Sequence, residues 1–145
     1  MVTCQKAFGM LLKVYFCRKS KLMAKDTIIA DALAEAVVKG MQDKKAKNII
    51  KIDLTHINEA AADYFIVCHG DSDRQVKAIA DSVEDETLAA FSEKPINREG
   101  VTHCRWVLLD YANVVVHVFQ KDVRAFYEIE ELWHDGKFTT YQDVA

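Results

Sequence analysis

The chain has 145 residues, half of them hydrophobic and 28% charged, which is enough for one compact domain with a real core and too little for two. A net charge of -3 and a pI near 5.9 argue against tight, nonspecific binding to a nucleic-acid backbone, which draws its affinity from clustered Lys and Arg. The four cysteines, Cys4, Cys17, Cys68 and Cys104, form no Cys-x-x-Cys pair and suit a reducing compartment better than a secreted disulfide scaffold.

Residues 1–22 carry Lys6, Lys13, Arg18, Lys19 and Lys21 and no acid. The remainder holds 14 basic residues against 22 acidic ones, a balance of -8. The composition therefore breaks near Met23, and a domain is expected over 23–145. Phe8, Leu11, Leu12, Tyr15 and Phe16 give the first segment an amphipathic character that fits an organelle-targeting helix. Met23 as the true start is the favoured alternative. Lys13 interrupts an apolar run already shorter than the roughly 20 residues of a membrane span, so no membrane association is expected. The expected location is the cytoplasm, or an organelle matrix if residues 1–22 act as a targeting segment.

From Asp26 the apolar positions Ile29, Leu33, Ala36, Val37, Gly40 and Met41 recur at helical steps, with Asp26 or Thr27 as a cap and Asp43 to Lys47 as the end. Strands are expected at Asn48–Leu54 and Tyr64–His69, with Asp63 at the mouth of the second. Gly70 supplies a turn, and Ser72 with Gln75 forms a capping-box pattern. It opens a helix from Asp73 to about Ala90, with Val76, Ile79, Ala80, Val83 and Thr87 on one face. The next segment holds the chain's single proline and predicts a loop with a short edge strand near Ile96. Two strands follow, Arg105–Leu109 and Val114–Phe119. Asp122 is then expected to cap a final helix whose Phe126, Ile129 and Trp133 pack on the sheet. Arg124, Tyr127 and Glu130 lie on its other side, as local polar contacts or as a dimer edge, and the pattern leaves both open. The tail after Gly136 is weakly patterned and expected to be loosely held.

This order predicts an α/β domain of two layers, with a mixed sheet of four to five strands and three main helices. Strand alternation separates two phases. Ile50, Ile52, Leu54, Phe65, Val67, Val107, Leu109, Val114, Val116 and Val118 are expected under the helices. Lys51, Asp53, Tyr64, Trp106, Asp110 and His117, mixed with Ile66, Leu108 and Val115, would line a partly covered face. A large aromatic beside carboxylates on such a face suits a protein-binding surface. The alternative is that Trp106 fills core volume.

Three ordered segments carry a resemblance: ADYFIVCHGDSDRQVKAIADSV, RWVLLDYANVVVHVF and RAFYEIEELW. Together they make the chain, from about Asp26 to Trp133, similar to the ribosomal silencing factor (Iojap) family. The motif positions match at Asp63, at Gly70, Ser72 and Arg74, at Trp106 and Asp110, at His117, and at Arg124, Tyr127, Glu130, Leu132 and Trp133. Two departures stand out: Ile129 where leucine is common, and a basic first segment without a counterpart in the usual bacterial form. The resemblance implies a nucleotidyltransferase-like fold without transferase chemistry, often homodimeric. It also implies binding to large-subunit ribosomal protein L-fourteen, which blocks subunit joining and represses translation when nutrients are scarce. The expected docking residues are then Asp63, Tyr64, Trp106, Leu108, Asp110 and Tyr111, an apolar centre with an acidic rim.

The competing reading is a divergent nucleotidyltransferase or nucleotide-binding enzyme. Such an enzyme needs a Gly-Ser phosphate turn and paired carboxylates for magnesium. Here Asp71 separates Gly70 from Ser72, and the only Asp-x-Asp spacing, Asp71 and Asp73, sits at the turn itself. Asp110 and His117 could form an acid–base pair, although a histidine in a Val-rich strand is more often structural. Cys68-His69 and His103-Cys104 are sequence neighbours whose side chains diverge on a strand. No catalytic residue, cofactor or metal site is expected, and no DNA partner.

Overall fold

The computed structural model describes residues 25–57, 60 and 62–144, with side chains from residue 29 onward. The basic segment 1–22, the break at Met23 and the cap expected from the side chain of Asp26 or Thr27 lie outside that description. In chain order the elements are α1 (Lys25–Asp43), β1 (Lys47–Asp53), β2 (Tyr64–Gly70), α2 (Asp73–Phe91), β3 (Asn97–Glu99), β4 (Trp106–Asp110), β5 (Val114–Gln120), α3 (Lys121–Tyr127), α4 (Ile129–Leu132) and β6 (Lys137–Thr140). The α/β class is as expected, but the sheet has six strands, ordered β3-β4-β5-β2-β1-β6. The central β2–β5 pair is parallel and the other pairings are antiparallel.

The tail supplies the extra strand. Lys137–Thr140 pairs with β1, placing Phe138 opposite Ile52, although all four residues are exposed. Backbone hydrogen bonding holds it there, a signal that hydrophobic patterning does not carry. Gly136 admits the connection because a Cβ at that position would come 2.5 Å from Ile52 Cγ2.

Helices α1 and α2 cover one face of the sheet. They cross closely at Gly40, where a Cβ would lie 2.8 Å from Val83 Cα, and Ser82 Oγ donates to Gly40 O at 2.8 Å. The buried side of α1 is Ala30, Leu33, Ala34, Val37, Val38 and Met41; Ile29, expected in that stripe, is 56% exposed. The face of α2 is as read, with Val76, Ile79, Ala80, Val83 and Thr87 all buried. At the start of α2, Ser72 Oγ accepts from Gln75 N at 3.1 Å. The Gln75 amide accepts from Asp71 N at 2.8 Å and donates to Lys45 O at 3.1 Å, tying this cap to the end of α1.

The expected division of strand residues is corrected in β1 and β2. Val107, Leu109, Val114, Val116 and Val118 do pack under α1 and α2, but they are joined there by Tyr64, Ile66 and Cys68. Ile52, Leu54, Phe65 and Val67 turn to the opposite face with Trp106, Leu108, Val115 and Phe119. The parallel register fixes this, since Tyr64 pairs with Val114 and Ile66 with Val116. Lys51 accordingly points toward α1, where it meets Asp31 at 3.1 Å and Glu35 at 2.8 Å.

The second face is not open. A thin further layer closes it: Ile57, Ala60 and Ala62 from the β1–β2 connection, and Val123, Tyr127, Ile129 and Trp133 from the C-terminal helical segment. That segment is one helix interrupted at Glu128, which takes a left-handed conformation at φ 45°. The N-cap of α3 is Gln120, without a side-chain bond; Asp122 instead meets Arg105 at 3.4 Å.

Candidate functional site: an aromatic cluster and its helical cover

Cross-strand pairing sets Trp106 opposite Phe119 and Leu108 opposite His117. Diagonal neighbours on one face of an antiparallel pair are within reach of aromatic side chains. Trp106 therefore stacks on Phe119 with ring centres 4.9 Å apart, and its Nε1 donates to His117 Nδ1 at 3.1 Å. Phe65, from β2, lies 5.1 Å from His117 and 5.3 Å from Trp133. Tyr127 covers Trp106 from α3 at 5.0 Å, and Phe126 meets Tyr127 edge-on at 5.1 Å.

The tryptophan donor requires an unprotonated Nδ1, so His117 is neutral with its proton on Nε2. It is wholly buried, and burial pushes its pKa down to about 3. It bonds to Trp106, as a structural group, and its Nε2 has no hydrogen-bond partner among the described residues.

The expected docking residues divide between two sheet faces and two ends. Trp106 is 8% exposed and Leu108 fully buried, so neither protrudes as an apolar centre. Asp110 is 4% exposed, and its Oδ1 accepts from Ala112 N at 2.9 Å in the β4–β5 turn. Tyr111 turns to the α2 side, its hydroxyl 2.9 Å from Thr87 Oγ1. Tyr64 is buried on that side with Lys51 Nζ 5.4 Å from its ring centre. Asp63 is half-buried, and its backbone joins Asn113 O at 2.9 Å and Leu54 N at 2.8 Å. Asp63, Tyr64, Asp110 and Tyr111 thus gather near the β4–β5 turn. Trp106 lies four residues down the strand, roughly 13 Å away at the usual rise.

Within the helical cover the large apolar residues that reach solvent are Phe126, 63% exposed, and Leu132, 58% exposed. Phe126 was expected to pack on the sheet; the interruption at Glu128 resets the helical phase and leaves it outside. The exposed acids Asp122, Glu128, Glu131 and Asp135 occur in the same segment. The sequence offered Phe126, Leu132 and these acids together, but a continuous helix would have buried the first.

The sequence pattern leaves Arg124 open between local polar contacts and a dimer edge; the fold buries it in local polar contacts. It is 6% exposed. Its Nε donates to Glu130 Oε1 at 2.7 Å, while its Nη1 donates to Asn48 O at 2.7 Å and to His69 Nδ1 at 3.0 Å. Burial and the adjacent guanidinium hold His69 below its ordinary pKa.

The Gly70–Ser72 turn is occupied by its own chain. Asp71 N goes to Gln75 Oε1, Arg74 N to Asp73 Oδ1, Gln75 N to Ser72 Oγ and Val76 N to Ser72 O. The Asp71, Arg74 and Gln75 amides are among the donors a phosphate would use at a helix start, and a phosphate there would have to displace the side-chain oxygens that accept from them, so the local geometry opposes nucleotide binding. Among the described residues, no group of three His, Cys, Asp or Glu side chains is placed to hold a metal.

A family profile described as "Ribosomal silencing factor during starvation" matches residues 27–145. Ribosomal silencing factor RsfS of Bacillus subtilis is 46% identical over 97 residues, covering 65% of this chain and 78% of that protein. The protein of the same name from Halalkalibacterium halodurans is 42% identical over 113 residues, covering 77% of this chain and 94% of its own. A crystal structure of a Chromobacterium violaceum protein superposes with a TM-score of 0.67 at 34% identity, covering 79% of this chain and 92% of that one.

Proposed function

The chain belongs to the ribosomal silencing factor family, and on that premise we propose that it represses translation by docking on large-subunit ribosomal protein L-fourteen and sterically preventing the small subunit from joining. The carrying observation is the aromatic stack that runs from buried Trp106 through Tyr127 to exposed Phe126. Phe126 and Leu132 form the apolar contact, with Trp106 and Leu108 as its rigid floor. Asp122, Glu128 and Glu131 supply an acidic rim for a basic patch on the partner. Aromatic anchors dominate the energy of such interfaces, and rim charges steer the encounter. Asp63 is retained as a peripheral acidic contact; Tyr64, Asp110 and Tyr111 serve the fold around it.

The scaffold is read as nucleotidyltransferase-like with its phosphate turn self-capped. The working form is read as a homodimer, favoured by the terminal strand β6, whose four exposed residues present a sheet edge that a second copy can extend. Its setting is the cytoplasm, or an organelle matrix if residues 1–22 direct import.

Sucrose-gradient sedimentation with purified subunits tests the central reading. The protein is expected to co-migrate with large subunits and to reduce subunit joining. Phe126→Ala, which removes an exposed ring, is expected to keep the wild-type melting temperature while binding about 30-fold more weakly, the scale of a hot-spot truncation. Normal joining at saturating protein refutes the function. Wild-type co-sedimentation of Phe126→Ala refutes the surface.

A further inference from the structure

Resting on the docking surface proposed above, we infer that Arg124 is its positioning residue, a clamp that holds the two halves of the interrupted C-terminal helix on the sheet in the shape that binds. The helix breaks at Glu128 into pieces of seven and four residues. Isolated helices of that length do not persist in water, so their placement must come from tertiary contacts. Apolar contacts from Val123, Tyr127, Ile129 and Trp133 supply part of it. Apolar contacts are non-directional, so they constrain the angle across the break less than a hydrogen-bonded tie does.

Arg124 spans that break. Its Nε and Nη2 both approach Glu130 Oε1, at 2.7 and 2.6 Å, tying α3 to α4. Its Nη1 reaches Asn48 O at 2.7 Å on β1 and His69 Nδ1 at 3.0 Å on β2, tying both pieces to the sheet. Asn48 is in turn joined to the C-terminal tail, its N donating to Asp143 Oδ1 at 2.7 Å. The guanidinium donors sit on three nitrogens in fixed, divergent directions that span a carboxylate on one side and two acceptors on the other, whereas a lysine ammonium gathers its donors at one atom and cannot cover that spread. A guanidinium this deeply buried is costly unless every contact is kept, so the arrangement opposes small displacements of the cover. Phe126 and Tyr127 follow Arg124 directly in the chain, and Tyr127 rests on Trp106. The clamp therefore sets where the exposed ring stands relative to its floor.

The test uses the full chain with Arg124→Lys, which keeps the charge and loses the fork, and Glu130→Gln, which severs only the link across the break and guards against a misfolded first variant. Three readouts are taken well below the unfolding transition: affinity for purified large subunits, acrylamide quenching of Trp106 and Trp133 emission, and amide exchange. The expected result is faster exchange confined to residues 121–133, stronger quenching, and affinity lowered about tenfold, as when the competent form falls to a tenth of the population. Arg124→Gln, made alongside, removes both charge and fork, and partial recovery in Arg124→Lys relative to it supports the role of charge within the clamp. Unchanged quenching and exchange in the folded variants overturn the inference. Altered quenching with unchanged or tighter binding also overturns it, because the cover would then be irrelevant to the surface or would hide it. Failure of the docking surface itself is recognised separately, by wild-type binding of Phe126→Ala.

Discussion

Lowering the pH should destabilise this protein through one buried histidine. His117 is wholly buried, its Nδ1 accepts the Trp106 indole proton at 3.1 Å, and burial moves its pKa from 6.5 to about 3. The folded pKa lies below the unfolded one, so the unfolded chain takes up the proton first as pH falls. The stability present above pH 6.5 is therefore lost progressively between 6.5 and about 3. At 1.36 kcal/mol per pH unit, the loss is about 2 kcal/mol by pH 5 and about 5 kcal/mol over the whole range. Urea unfolding at a series of pH values measures it. The informative comparison is with His117→Gln, whose amide oxygen can still accept from Trp106 but does not titrate. The difference in slope between the two proteins isolates His117 from other groups, including His69. Parallel slopes between pH 5 and 6.5 would refute the assignment of a buried, neutral, tryptophan-bonded imidazole.

Gly40→Ala is expected to destabilise the fold by about 1–2 kcal/mol in chemical denaturation, because the added Cβ meets the Val83 backbone at 2.8 Å. Helix propensity alone predicts the opposite sign, a gain of about 1 kcal/mol, so a stabilised variant would show that α1 and α2 do not cross this closely. Tyr111→Phe removes the buried bond to Thr87 and should cost about 1–2 kcal/mol while leaving large-subunit binding unchanged, since Tyr111 faces α2. Weakened binding without a change in melting temperature would restore Tyr111 to the docking surface.

The sequence was most informative where one face of an element is wet. Along α2, polar Asp81, Glu84 and Asp85 contrast with Val76, Ile79 and Val83, and both the helix and its buried side are as read. In β1 and β2 that contrast fails, because both sheet faces are covered and either alternation is largely apolar. The relative phase of neighbouring strands is then set by register, and Tyr64 opposite Val114 is a fact of pairing that no local pattern encodes. Lys51 was misleading for a related reason: its charge is satisfied by Asp31 and Glu35 on the helix above it. In the C-terminal segment the spacing of Phe126, Ile129 and Trp133 is helical throughout, and nothing local announces the turn at Glu128. The aromatic cluster was thus legible in its membership, through Trp106 and His117. Its cover was not, because Phe126 and Arg124 exchange the places that periodicity gives them.

The parallel pairing of β2 with β5 also constrains the order in which the chain can fold. Strand β2, buried along nearly its whole length, is synthesised some 50 residues before the partner that covers its inner edge. Loop closure across that span precedes any reward from the contact, which slows folding and leaves an apolar strand edge waiting. Pulse-labelled exchange during refolding should show β2 amides gaining protection together with those of β5, after α2 has formed. During synthesis the same delay makes the emerging N-terminal half dependent on the last third of its own chain, so truncations that end before Val114 are expected to aggregate.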